Sequence, residues 1–180
     1  MSIDTHTLVW LFPVAFMFHD FEEITFWELW LNKHGDEVTR RVPAFLAKQV
    51  GVIAGKSTAQ CSLSVCLIFS LTVLSSFLAT EYDNYSFFLL TSGVFFAHGF
   101  MHLGQAIVLR RYVPAVITSA LIVIPYGLVL YWRLIGEKIV GLPELFIYFL
   151  LGAVLMVPFI LVMHKAGDYL YTKAVRLLIH

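Results

Sequence analysis

The stretch FMFHDFEEITFWELW, Phe16 to Trp30, sets His19, Asp20, Glu22 and Glu23 in a run of phenylalanine, tryptophan, leucine and isoleucine. A solvated helix face would be the ordinary home for such charges. The composition argues against it: 59 % of the 180 residues are hydrophobic, 13 % are charged, and the mean hydropathy is +0.82, well outside the range of soluble globular chains. A hydrocarbon core of about 30 Å takes about 20 apolar residues per helix. Five stretches meet that length, at 7–31, 57–79, 85–109, 113–135 and 142–164. Strand-like alternation is absent, which excludes a barrel. The N-terminus lacks a basic n-region and a small-residue cleavage site, so the first segment reads as a retained span. The expectation is an all-α polytopic membrane bundle in one domain spanning 1–180, with a linker at 32–56.

The basic residues set the expected orientation. Lys33, Arg40, Arg41, Lys48, Lys56, Arg110, Arg111, Lys165, Lys173 and Arg176 fall on one side of a five-span chain, against Arg133 and Lys138 on the other. The positive-inside rule then places the N-terminus outside and the linker and C-terminus in the cytoplasm. Cys61 and Cys66 lie five apart in the second span, on different helix faces and poorly placed for a disulfide. The basic linker is short and explained by topology, so nucleic-acid binding is not expected.

In that frame His19 lies at mid-span. A charge there costs about 2.5–3.5 kcal/mol on insertion scales, so the cluster needs partners. Glu22 and Glu23 lie about 60° to one side and 40° to the other of His19 on a helical wheel, with Asp20 at the edge of the face. Glu28 points away, near the expected cytoplasmic interface. The matching partner is FFAHGFMHLGQ in the third span, where His98 and His102 stand one turn apart with Gln105 on the same face. The first and third spans run in the same direction, and a rise of about 1.5 Å per residue puts both groups in one slab of the membrane. Gly99 and Gly104 favour close helix approach there. His164 and Lys165 read as a helix end meeting the headgroups, and Pro125 and Pro158 as tolerated kinks.

The motif H19-D-F-E22-E23 resembles the one that defines the HXXEE family of small bacterial membrane proteins. The resemblance extends to a further histidine, His98 or His102, and to a Y-x-P-G element, here Tyr112-Val113-Pro114-Ala115 with alanine in place of the glycine. It implies a bacterial cytoplasmic membrane location and transfers no activity.

Three imidazoles and two carboxylates at one depth suit a divalent metal. The expected ligands are His19, Glu23, His98 and His102, with Asp20 and Gln105 around them. Zinc is the first choice and iron the second. Glu22 and Glu23 are the candidate catalytic carboxylates: Glu23 shares the metal with His19, and Glu22 acts as general base. The leading function is a metal-dependent hydrolase acting on a lipid or other apolar substrate from the bilayer. A proton- or metal-coupled carrier using the same residues, which a homo-oligomer would favour, is the alternative from another class. A di-iron membrane oxidase or hydroxylase is the second alternative. No G-x-S-x-G, P-loop or H-E-x-x-H supports other chemistries.

Overall fold

A computed structural model describes residues 3–41 and 55–179. Those residues form five helices and no strand: α1 Thr5–Arg41, α2 Thr58–Tyr82, α3 Tyr85–Leu109, α4 Val116–Gly136 and α5 Leu142–Ile179. Four of them, α2 to α5, are long and apolar enough to cross a membrane. In α1 the acidic residues of the opening motif interrupt the apolar run, yet α1 lies alongside α2 for most of that helix's length. Ser76 donates to the Val9 carbonyl at 2.9 Å near one end, and Thr58 donates to Glu28 at 3.0–3.1 Å near the other.

Local chemistry fixes the helix ends. The backbone N–H of Thr7 donates to the Asp4 carboxylate at 2.6 Å, which opens α1 and holds the Asp4 carboxyl below its usual range. Ser57 and Gln60 form a reciprocal capping box at the start of α2. Asp83 and Arg110 end α2 and α3 in left-handed conformations. Within α4, Ser119–Val123 forms a π-helical turn. It directly precedes Pro125, whose missing N–H and bulky ring disturb the regular ladder, and a π turn absorbs such a disturbance.

Two helices run further than expected. α1 continues ten residues past Leu31 because the polar segment that follows can still pair along a helix: Glu37 and Arg41 are 2.7 Å apart at i, i+4, and Arg111 reaches the same Glu37 at 2.9 Å. The linker therefore starts as helix, and its residues 42–54, including Lys48, lie outside the described residues. α5 continues fifteen residues past His164, with Asp168 salt-bridged at 2.6 Å to the buried Lys56. Glu28 turns toward the start of α2 rather than to an open interface.

α1 and α3 face each other across the bundle, with α2 on one flank and α4 on the other, and α5 packs outside α2 and α3. The facing helices meet through rings. Phe12 stacks on Phe88 and Phe95 at 5.5 and 5.7 Å, and Phe16 and His19 meet Phe95 at 5.8 and 5.4 Å. α3 and α5 instead touch backbone to backbone: a Cβ on Gly152 would lie 2.6 Å from the Gly93 carbonyl carbon. Gly99 abuts Val123 in α4, whereas Gly104 stands in open space, so only one of the two glycines flanking the histidines serves helix approach.

Ala115 holds φ at 69° as it leads into α4, so the position keeps a glycine-like backbone without glycine. That conformation costs about 1–2 kcal/mol for an L-residue. Ala115→Gly should therefore raise Tm by about 2–4 °C per kcal/mol relieved, and Ala115→Val should lower it. A lower Tm for the glycine variant in a thermal melt would show that the strain is absent.

Candidate metal centre

The motif in α1 and the histidine pair in α3 converge on one point. His19, Glu23, His98 and His102 each present one ligand atom, and these atoms all lie within 4.8 Å of one another. The Nε2 atoms of His98 and His102 are 2.9 Å apart. Glu23 Oε2 is 3.4 Å from the first and 3.8 Å from the second. The His19 ring stands 5.3 and 5.2 Å from those two rings, centroid to centroid. Two ligands at about 2.1 Å from a tetrahedral zinc would be about 3.4 Å apart. The observed spacings bracket that value, so these four side chains can hold a metal ion.

Burial and charge favour a cation here. His19 and His102 are 0 % and 2 % exposed. Glu23 makes no salt bridge to Lys or Arg among the described residues, and its only basic partners are the imidazoles. An ionised carboxylate in an apolar interior is costly unless it is paired. A divalent ion would meet that need and would also occupy the buried Nε2 of His19, which has no partner among the described residues.

Glu22 sits elsewhere, and this changes its role. Oε2 of Glu22 accepts from the Thr118 hydroxyl at 2.6 Å and the Thr118 N–H at 2.7 Å, while Oε1 accepts from the Tyr112 hydroxyl at 2.9 Å and the Ile117 N–H at 3.3 Å. The carboxylate thus caps the first turn of α4, where the helix dipole favours an anion. Four donors are already in place around the carboxylate that the sequence suggested as the general base. Tyr112, outside the spans, has its phenol pushed up by burial and by the bond to Glu22.

The same capping reaches the cluster from behind. Thr118 Oγ1 is 3.2 Å from Nδ1 of His19. The one hydroxyl proton of Thr118 is committed to Glu22, so Nδ1–H of His19 must be the donor to Thr118. His19 is then the tautomer with a bare Nε2 lone pair facing His98 and His102. A ligating histidine is commonly set in this way through its outer nitrogen. Thr118 carries no signal in the sequence beyond its place after the Tyr-x-Pro element.

Of the expected surrounding residues, Asp20 is buried with Oδ2 unpartnered. Gln105 is half-buried, and no hydrogen bond ties it to the cluster among the described residues. His164 is corrected outright. It lies well inside α5 and lines, with Asp20, Glu23 and His98, a cavity of about 210 Å³ between α1, α2, α3 and α5. The expectation of a helix end failed because α5 continues as an amphipathic helix where its apolar run stops.

If Thr118 sets the tautomer of His19, Thr118→Val should weaken metal binding about 10–100-fold in competition with a chelator, while Thr118→Ser restores it. Equal affinity in the valine variant would remove Thr118 from the site.

No curated protein and no solved structure matches the chain. The family described as "Protein of unknown function with HXXEE motif" matches residues 10–130, a range that holds all four converging ligands, Glu22 and Thr118 but stops short of α5. The chain belongs to the HXXEE family.

Proposed function

We propose that the protein is a membrane-embedded, metal-dependent hydrolase whose substrate carries an apolar chain. The observation that carries this reading is the contact between the ligand cluster and the cavity: Glu23 and His98 belong to both. Most of the rest of the cavity wall is apolar, with Phe16, Ile68, Leu71, Leu90, Phe95 and Phe159 among its residues beside Asp20 and His164. A polar reacting group at the end of an apolar chain would meet those two side chains first.

His19, His98 and His102 hold the ion, for which three imidazoles and a carboxylate favour zinc, with iron as the other candidate. A zinc ion held there supplies Lewis-acid polarisation of a carbonyl and an acidified water. Glu23 is the carboxylate that faces both the ion site and the cavity. In ester hydrolysis it takes the proton of the attacking water and returns it to the leaving alkoxide, so that one ester and one water give one acid and one alcohol. Low dielectric around the cavity strengthens these charge interactions. Glu22 and Thr118 orient His19 and take no proton.

The reading includes a membrane orientation. Arg41, Arg111 and Glu37 meet at one end of the bundle, and Arg133 reaches the Ile3 carbonyl at the other. The basic end, which also holds Lys56, faces the cytoplasm by the positive-inside rule.

The division of labour is testable on protein purified in nanodiscs, with p-nitrophenyl decanoate as substrate. Glu23→Gln should keep metal near the parent stoichiometry and lose turnover by about 10²–10⁴-fold, the usual contribution of a general base. A variant with both His98→Ala and His102→Ala should lose the metal itself. Full turnover in Glu23→Gln would remove the base. Parent metal content in the double variant would remove the site.

A further inference from the structure

Past the ligand cluster, α1 presents a second polar face near its C-terminal end. At about 100° per residue, Trp30, Lys33, His34, Glu37, Arg40 and Arg41 share an arc of about 120°. The turn between α3 and α4 closes on that arc. The Trp30 indole N–H donates to the Tyr112 carbonyl at 2.8 Å, Arg111 donates to Nδ1 of His34 at 2.8 Å, and the rings of Phe26 and Tyr112 meet edge to face at 6.2 Å.

The order of residues along this face matches the layers of a membrane. With His19 at mid-span, Trp30 lies about 16 Å and His34 about 22 Å along α1 from the bilayer centre. The first distance is the edge of a hydrocarbon core of about 30 Å, and the second is the level of the headgroups. Aromatic rings at that edge with cations beyond it follow the ordinary interfacial pattern. Leu29 on α1 and Ile107 and Val108 near the end of α3 are exposed, as residues in contact with acyl chains are.

The cations outnumber what the protein itself neutralises. Lys33, Arg40, Arg41, Arg110 and Arg111 stand against two carboxylates, Asp36 and Glu37. Glu37 is shared, with Arg41 at 2.7 Å from one oxygen and Arg111 at 2.9 Å from the other. One carboxylate does not neutralise two guanidinium ions, and residues 42–54, which follow α1 in the sequence, add Lys48 and no acid. Lys33, Arg40, Arg41 and Arg110 are exposed. Guanidinium groups bind phosphate oxygens through paired N–H donors, whereas a zwitterionic headgroup brings its own cation and gains less from such a surface.

We infer that this end of the bundle binds an anionic phospholipid, with the phosphate among the cations around Glu37 and the chains along Leu29, Ile107 and Val108. The exposed apolar residues beside the cations select a lipid over a soluble phosphate. The inference is independent of the hydrolase reading, because none of these side chains belongs to the ligand cluster or the cavity. Its test is native mass spectrometry of the detergent-solubilised protein titrated with dioleoyl phosphatidylglycerol or dioleoyl phosphatidylcholine. Phosphatidylglycerol should bind about tenfold more tightly or better. Arg41→Gln combined with Arg110→Gln should weaken its binding about 10–30-fold, while Lys173→Gln combined with Arg176→Gln, which removes equal charge from the end of α5, should change it less than about twofold. Glu37→Gln, which releases both guanidinium groups, should strengthen it. Helix content at the parent level by circular dichroism shows that each variant has folded. Equal affinity for the two lipids, equal losses in the two double variants, weaker binding in Glu37→Gln, or displacement of the lipid by millimolar inorganic phosphate would overturn the assignment.

Discussion

A carboxylate inside an apolar helix bundle must find positive charge, and for Glu23 the only basic partners among the described residues are imidazoles. Much of the site follows from that need. The cost of burying an unpaired anion explains why the Glu23 carboxylate reaches across to α3, where the Nε2 atoms of His98 and His102 stand 3.4 and 3.8 Å from one of its oxygens. Metal capacity is the outcome of this convergence: one nitrogen from each of the three imidazoles and the Glu23 oxygen lie within 4.8 Å of one another, spaced as ligands.

The second carboxylate of the motif works at a distance. Glu22 holds the first turn of α4 by its backbone N–H groups and its Thr118 hydroxyl, and through Thr118 it holds the outer nitrogen of His19. The segment that delivers Thr118 is itself unusual, with Ala115 at positive φ before it and a π turn after it. π turns often occur at functional sites because they re-aim side chains. Here the irregular backbone brings α4 to α1. The two adjacent glutamates thus divide between the interior of the cluster and its support.

The helix bundle and the grouping of His19, Glu23, His98 and His102 were legible because they depend on periodicity. Apolar runs of membrane length gave four of the helices and a shorter apolar run gave α1, the i, i+4 spacing put His98 and His102 on one face, and matching position within parallel helices put His19 opposite them. The roles of Glu22, Thr118 and His164 depend on which side chains meet across helices, and one helix's wheel does not contain that information. The wheel placed Glu22 and Glu23 almost symmetrically about His19, and only the position of α4 distinguishes them. His164 was hidden for a different reason: the end of an apolar run is not the end of a helix when the following residues can pair with Lys56. Ala115 stands where the family pattern has glycine and still takes positive φ, in the turn that leads to the Glu22 cap.

The central claim is that His19, His98 and His102 bind one metal ion beside the Glu23 carboxylate, and X-ray absorption at the zinc edge of the zinc-loaded protein tests it most directly. The account predicts about three imidazole nitrogens with their multiple-scattering signature, plus oxygen, at about 2.0–2.2 Å. A first shell of oxygens without imidazole scattering would contradict it.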